Sequence, residues 1–232
     1  MQHEINSLDY YYEKQEELTK ECLLALKSIF MSIDDEIIHF RKYQIPFFKY
    51  NEFNLGFLWV NKKKIFLGFT VDKKVLFQTK QSGQKDLIST MEIDPLKDIP
   101  ILLIENKINN LLRRYKQKQT MEIEQFIQSW LNASNAYDIE SYIKHYHHNA
   151  ILDDPSVGKV FKGHSGIRNY FESYFIGYQT QTELSSLKIL NKNQLFLDVR
   201  FSGEFPEGTI NGVFDITLKN NKIEFIKANL IH

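Results

Sequence analysis

The stretch Thr182–Leu230, TELSSLKILNKNQLFLDVRFSGEFPEGTINGVFDITLKNNKIEFIKANL, decides how the second half of this chain reads. It holds four runs of strand character: Thr182–Leu190, Gln194–Phe201, Gly208–Leu218 and Lys222–Leu230. Asn191-Lys192-Asn193 and Asn220-Asn221 stand between neighbouring runs. Asparagine tolerates the positive φ that tight hairpins demand, so both clusters predict turns. Long strands joined in this way predict an antiparallel meander.

Upstream of Gly177 the rhythm is helical. Ile167, Tyr170, Phe171, Tyr174 and Phe175 share one apolar side after the loop Gly163-His164-Ser165-Gly166. Ile139–His147 predicts a shorter helix with Asp138 as its N-cap. Ile123, Phe126, Ile127 and Trp130 mark an earlier one. Ile151-Leu152 is a short extended piece stopped by Pro155. Three helices followed by a meander make an α+β unit.

The first half reads separately. Leu18, Cys22, Leu26, Ile29 and Phe30 recur at helical spacing within a helix predicted over Ser7–Phe30. Asp34, Asp35 and Glu36 suit the positive end of a second helix over Ser32–Phe40. Strands are predicted at Phe47–Tyr50, Leu55–Val60, Ile65–Val71, Val75–Thr79 and Ile88–Ile93, with turns at Asn61-Lys62-Lys63 and Asp72-Lys73-Lys74 and a polar loop at Gln81–Gln84. Pro100 starts a helix whose apolar stripe is Ile101, Ile104, Ile108, Leu111 and Leu112. The polar, aperiodic run Lys116–Thr120 places a boundary between domains at 1–118 and 121–232.

Bulk properties narrow the function classes. Hydrophobic residues make up 43% of the 232 residues, enough for packed cores, and the 18 Phe and 12 Tyr can build cores or line pockets. Lys and Arg balance Asp and Glu at 29 each. The halves carry 19 basic against 16 acidic and 10 against 13, too even for a nucleic-acid-binding face. The single cysteine, Cys22, excludes an internal disulfide and reads as a buried structural thiol in a cytoplasmic protein. The N-terminal residues lack the apolar core of a secretory signal, and no run is long and apolar enough to span a membrane. There is no Gly-rich phosphate loop, GxSxG or CxxC, so no cofactor is expected.

Residues 121–232 carry a set of ordered motifs. They are Trp130-Leu131-Asn132-Ala133-Ser134-Asn135-Ala136-Tyr137-Asp138, then Ile151-Leu152-Asp153-Asp154-Pro155, then Phe161-Lys162-Gly163 ahead of Ile167-Arg168-Asn169-Tyr170-Phe171. Together they resemble SnoaL-like domains of the nuclear transport factor 2-like superfamily, relatives of ketosteroid isomerases and polyketide cyclases. The resemblance implies a cone-shaped α+β domain: a strongly curved antiparallel sheet and three helices around a ligand-sized pocket. It also implies a homodimer through the open sheet face, where Gln194–Phe201 and Lys222–Leu230 are expected to present an apolar outer stripe. In the first half, Glu36-Ile37-Ile38, Gln44-Ile45-Pro46-Phe47-Phe48-Lys49-Tyr50 and Leu67-Gly68-Phe69 resemble the YdhG-like domain, some of whose relatives are frataxin-like. That implies a small helix–antiparallel sheet–helix domain.

The resemblance gives Asp154 the part of a general base and Asp215 that of an acid or oxyanion donor, both inside one apolar pocket. Each has a plainer role: Asp154 as a turn residue before Pro155, Asp215 as a cross-strand partner of Arg200 or Lys227. Trp130 stands where the isomerases place an oxyanion-donating tyrosine, and an indole N–H is a far weaker acid than a phenol. Trp130, His164, Tyr170, Tyr174 and Phe201 are candidate ligand contacts, with plain core as the alternative for the aromatics. His145, His147 and His148 lack clean ligand spacing, so no metal site is expected there. Glu13, Glu16, Glu17, Glu21 and Asp34–Glu36 form an acidic cluster that fits weak iron binding or, with Lys14, Lys20 and Lys27 between, a solvated helix face. The expected function is binding of a small, largely apolar molecule. The alternatives are carbonyl isomerisation or cyclisation, and iron binding by the first half.

Overall fold

The computed structural model describes residues 8–72, 75 and 88–231. The chain divides into two compact units, Met1–Lys118 and Gln119–His232. The division falls inside one helix rather than in a loop, because Ile101–Asn135 is helical throughout.

The first unit opens with α1 (Leu8–Glu13) and α2 (Glu17–Ile33), followed by β1 (Ile37–Lys42), β2 (Ile45–Tyr50), β3 (Phe53–Asn61), β4 (Lys64–Thr70) and β5 (Ile88–Ile93). The strands form a five-stranded sheet in sequential order, every pair antiparallel. Lys62 and Lys63 both have positive φ, the backbone of a tight hairpin between β3 and β4. The core joins Leu23, Leu26 and Phe30 of α2 to Phe48, Leu58 and Leu67 of the sheet and to Ile104 and Ile108 of α3 (Ile101–Asn135). Tyr115 is fully buried there, its hydroxyl donating to Thr70 O (2.8 Å) and accepting from Asp72 N (3.0 Å).

Three expectations need correction. The helix expected over Ser32–Phe40 is absent, since Ile37–Lys42 is strand β1. The Asp34 side chain accepts from Glu36 N (2.9 Å) and its carbonyl from Ile37 N (3.0 Å), which closes a turn and frees Ile37 to pair with Tyr50. Leu18 is exposed, so the buried stripe of α2 runs through Thr19, Cys22, Leu23 and Leu26 instead. The helix expected over Ser7–Phe30 is also broken, between Glu13 and Glu17. The Val75–Thr79 strand and the Gln81–Gln84 loop lie, Val75 apart, outside the described residues.

The second unit continues with α4 (Ile139–Lys144), β6 (Tyr146–Asp154), β7 (Lys159–Lys162), α5 (Gly163–Phe171) and a π-helical turn (Glu172–Ile176), then β8 (Gln181–Asn191), β9 (Gln194–Ser202), β10 (Thr209–Lys219) and β11 (Lys222–Ile231). Asp138 caps α4, accepting from Ser141 N (3.0 Å). The six strands are ordered β7-β6-β11-β10-β9-β8. β8 to β11 form the meander, and β6 joins it parallel to β11, a pairing between strands far apart in sequence. Register shifts at Thr217/Leu218, Ile223/Phe225 and Leu184/Ser186 mark bulges, which bend a sheet and raise its twist. The curved sheet and its helices make the cone-shaped α+β unit.

Alternation decides what each strand buries. Leu195, Leu197, Val199 and Phe201 of β9 face the helices, as do Phe214, Ile216 and Leu218 of β10. The opposite face of β9 carries Gln194, Phe196, Asp198 and Arg200, and that of β11 includes Lys227 and Asn229. With Phe225 and Ile231 also on the outer face of β11, the apolar stripe expected on these strands is interrupted by polar side chains rather than continuous.

One titration belongs to the first unit. His39 of β1 is hydrogen-bonded through Nε2 to the Tyr12 hydroxyl (2.9 Å) and stacks on Phe48 (4.9 Å). Burial, helped by the charge of Lys27, lowers its pKa from 6.5 to about 4. The unfolded state thus binds a proton before the folded one does. Stability is expected to be complete above about pH 6.5 and to fall as pH drops toward 4. Urea titrations from pH 7 to 4, compared with His39→Gln, check this: the variant loses that part of the pH dependence.

Candidate functional site

The inner face of the second unit's sheet ends in a cavity of about 170 Å³. Asp154, Ser156 and Val157 line it from the end of β6, Tyr170, Tyr174 and Phe175 from α5 and the π turn, and Phe201 and Ile210 from β9 and β10. The remaining walls are Tyr178, Thr180, Phe205 and Leu230.

Local structure explains the placements. Tyr170 and Tyr174 share a helical face at i, i+4. Gly177 N donates to Glu172 O (2.9 Å), a bond spanning five residues rather than four. This wider turn brings Phe175, five residues after Tyr170, to the same side, and such π turns recur at functional sites. Two loop segments then meet at the mouth. Glu204 N donates to Tyr178 O (2.6 Å), and a Cβ at Gly203 would stand 2.7 Å from that same oxygen. Only glycine permits this approach, which draws together the two segments that carry Tyr178 and Phe205.

Asp154 is the charged group of this wall, and it is buried at 5% exposure. Its Oδ2 accepts from the Tyr170 hydroxyl (2.8 Å). Its Oδ1 accepts from Ser156 N (3.0 Å) and from the Ser156 hydroxyl. Three donors thus converge on one carboxyl group and fix its orientation. Burial, and then the adjacent Asp154 carboxylate, push the Tyr170 hydroxyl well above its ordinary value of 10, so it stays a donor.

The sequence-predicted residues divide. Asp154, Tyr170, Tyr174 and Phe201 come together in the cavity. Asp215 does not: it is exposed on the outer face of β10, opposite Lys227 of β11, because its neighbours Phe214 and Ile216 point inward. The pairing of two acids in one hollow is thereby overturned. Trp130 packs in the core against Phe214 (5.4 Å) and Tyr142 (5.9 Å), away from the cavity lining. Its Nε1 faces the Tyr142 and Tyr146 hydroxyls without reaching hydrogen-bonding geometry. His164 is bonded through Nε2 to Tyr146 O (3.1 Å) and does not line the cavity. His145 is likewise engaged, with Ser141 O and the Ser129 hydroxyl. In the first unit Glu13, Glu16 and Asp34 are paired with Lys20, Lys63 and Lys116. Among the described residues no group of three or more His, Cys, Asp or Glu is placed to hold a metal ion. Cys22 is buried, and burial raises its thiol pKa, which makes it a poor nucleophile.

Sequence reasoning missed Ser156, Tyr178 and Phe205. Ser156 had a signal, since a side chain two residues after an Asp in a turn is well placed to donate to it. Tyr178 and Phe205 lie outside the helices and strands, where no periodicity marks them.

A curved sheet closed by helices over an end cavity makes this unit a pocketed α+β cone, and several solved structures are similar to part of the chain. One is a polyketide cyclase candidate from Sinorhizobium meliloti, 14% identical over 45% of this chain and 93% of its own, with a TM-score of 0.42. Another is a nuclear transport factor 2-like protein of unknown function from Burkholderia xenovorans, at 16% identity, 48% and 84% coverage and a TM-score of 0.43. A third is a ketosteroid isomerase candidate from Kribbella flavida, at 9%, 48% and 79%, with a TM-score of 0.43. No family model matches the sequence, and neither does any curated protein. The likeness of the first unit to YdhG-like domains rests on its sequence motifs alone. No helix among the described residues is long and apolar enough to cross a membrane.

The Asp154–Tyr170 bond is expected to be strongly coupled. Asp154→Ala leaves the buried Tyr170 hydroxyl without its acceptor and should cost about 2 kcal/mol. Tyr170→Phe should cost about 1–2 kcal/mol, and the double variant less than the two together. A double-mutant cycle by urea unfolding measures this, and strict additivity would mean the bond contributes nothing.

Proposed function

We propose that the cavity of the second unit binds one small, largely apolar molecule, oriented by the Asp154 carboxylate. The observation that carries this reading is the lining itself: rings and aliphatic side chains around a single buried carboxylate whose geometry is held by Tyr170 and Ser156. Binding sites commonly combine apolar walls with a few placed polar groups.

Size limits the ligand. A cavity of about 150 Å³ accommodates benzene. The 170 Å³ here suits a single ring or a body of that bulk, not a fused tetracycle.

The isomerase or cyclase reading places a general base on Asp154, and a buried carboxylate beside an apolar hollow is the feature that favours it. Two considerations weigh against it. Both of its oxygens already accept hydrogen bonds, from Tyr170 and from Ser156, which leaves less of the carboxylate free to take a substrate proton. An enolate formed beside Asp154 would develop negative charge next to a negative group, with no lysine, arginine or histidine in the lining to offset it. Binding without chemistry is the better-supported reading. We place the protein in the cytoplasm, in keeping with its one cysteine.

The test is a panel of monocyclic and bicyclic-to-tetracyclic alcohols, ketones and amines, read by ligand-observed NMR and thermal shift. Monocyclic members should bind and tetracyclic ones should not, and Phe201→Ala should widen the accepted range. Failure of every monocyclic compound to bind would end the proposal. Turnover of a cyclic enone that vanishes in Asp154→Asn would replace it with the isomerase reading.

A further inference from the structure

We propose that the molecule held in this cavity is a small organic cation, an alkylated ammonium. The inference rests on the ligand-binding reading of the same cavity and names its chemical class. Asp154 is the charged residue among those lining the cavity, it is almost fully buried, and among the described residues it has no ion-pair partner. Neutral donors stabilise it, yet hydrogen bonds leave its net charge in place. A buried charge without a counter-charge is costly, and a ligand bearing the opposite charge removes that cost.

The rings act with the same sign. Tyr170, Tyr174, Phe175, Tyr178, Phe201 and Phe205 all line the hollow. The face of an aromatic ring is negative, and alkylated ammonium groups are the ligands that clustered rings hold best. Tyr170 stands 5.2 Å from Tyr174 and 5.9 Å from Phe175, and Phe175 stands 6.2 Å from Phe201, so these four rings form one continuous wall. No lining residue carries a positive charge that would oppose a cation. An anion would meet Asp154 without relief. A neutral hydrocarbon would fill the volume but leave the carboxylate unopposed. The size fits as well, since a trimethylammonium head with a short tail has about the bulk of the benzene ring that a cavity of this volume holds.

The experiment compares choline with 3,3-dimethylbutan-1-ol, its neutral isostere with carbon in place of nitrogen, by calorimetry on the full chain. The expected result is choline binding at least about tenfold more tightly, the worth of a desolvated cation–π contact and a nearby carboxylate. Asp154→Asn should erase that preference by weakening choline far more than the isostere. Tyr178→Leu keeps apolar bulk at the partly exposed mouth, leaves the carboxylate in place and should weaken choline several-fold. This second variant serves if Asp154→Asn does not fold. Equal affinity for choline and its isostere would overturn the cation and leave the small-ligand reading standing. Binding of monocyclic ketones without choline would do the same. Silence from choline, the isostere and the monocyclic panel together would remove both. Unchanged choline affinity in Asp154→Asn and Tyr178→Leu would also overturn the cation, because its two sources of attraction would be idle.

Discussion

Alternation along the strands of the second unit's sheet is the constraint on which its core, its cavity and its outer surface all depend. In β10, Phe214, Ile216 and Leu218 must face the helices together, because successive side chains leave a strand on opposite sides. A slip of one residue would expose all three and bury Val213, Asp215 and Thr217 in their place. The Asn220-Asn221 turn, with positive φ at both positions, pins the register of β10 against β11. The same rule carries Phe201 of β9 to the inner face, at the end where the sheet opens into the cavity.

Within that frame the cavity is set by one carboxylate and its donors. Asp154 ends β6, where the chain turns at Pro155, and the turn itself supplies Ser156 as a donor. Tyr170 reaches the other oxygen from α5. A strand end and a helix are thus tied across the hollow by a bond that neither element could form alone. The arrangement leaves a buried carboxylate at a wall otherwise made mostly of rings and aliphatic side chains.

Much of this architecture can be read from sequence, and the reasons for success and failure are local. The hairpins are legible at Asn220-Asn221, where both residues take positive φ, and at Asn191–Asn193, where the Asn191 side chain accepts from Asn193 N (2.9 Å). The segment Asp34–Lys42 is not, since adjacent acidic residues suit a helix start and a turn equally well. What decides between them is the pairing of Ile37 with Tyr50, a contact that local sequence does not show. The parallel pairing of β6 with β11 is hidden for the same reason. Asp215 is different. Its flanking Phe214 and Ile216 already assign it to the outer face, and only analogy with relatives put it inside. Periodicity within the chain was the stronger guide. Asp154 escaped that conflict because it closes a strand, where alternation and turn chemistry agree. Tyr178 and Phe205 stand in loops, so neither rule reaches them.

The contact between Tyr178 O and the backbone at Gly203 and Glu204 has a consequence for how such a protein can diversify. The rings at the entrance belong to segments that take no part in the strand ladder. Exchanging them alters which shapes are admitted, while every inward residue of the sheet keeps its place. The part of the cavity's shape set by Tyr178 and Phe205 therefore lies in stretches apart from the strand ladder, whereas Tyr170, Phe175 and Phe201 belong to lining and core at once.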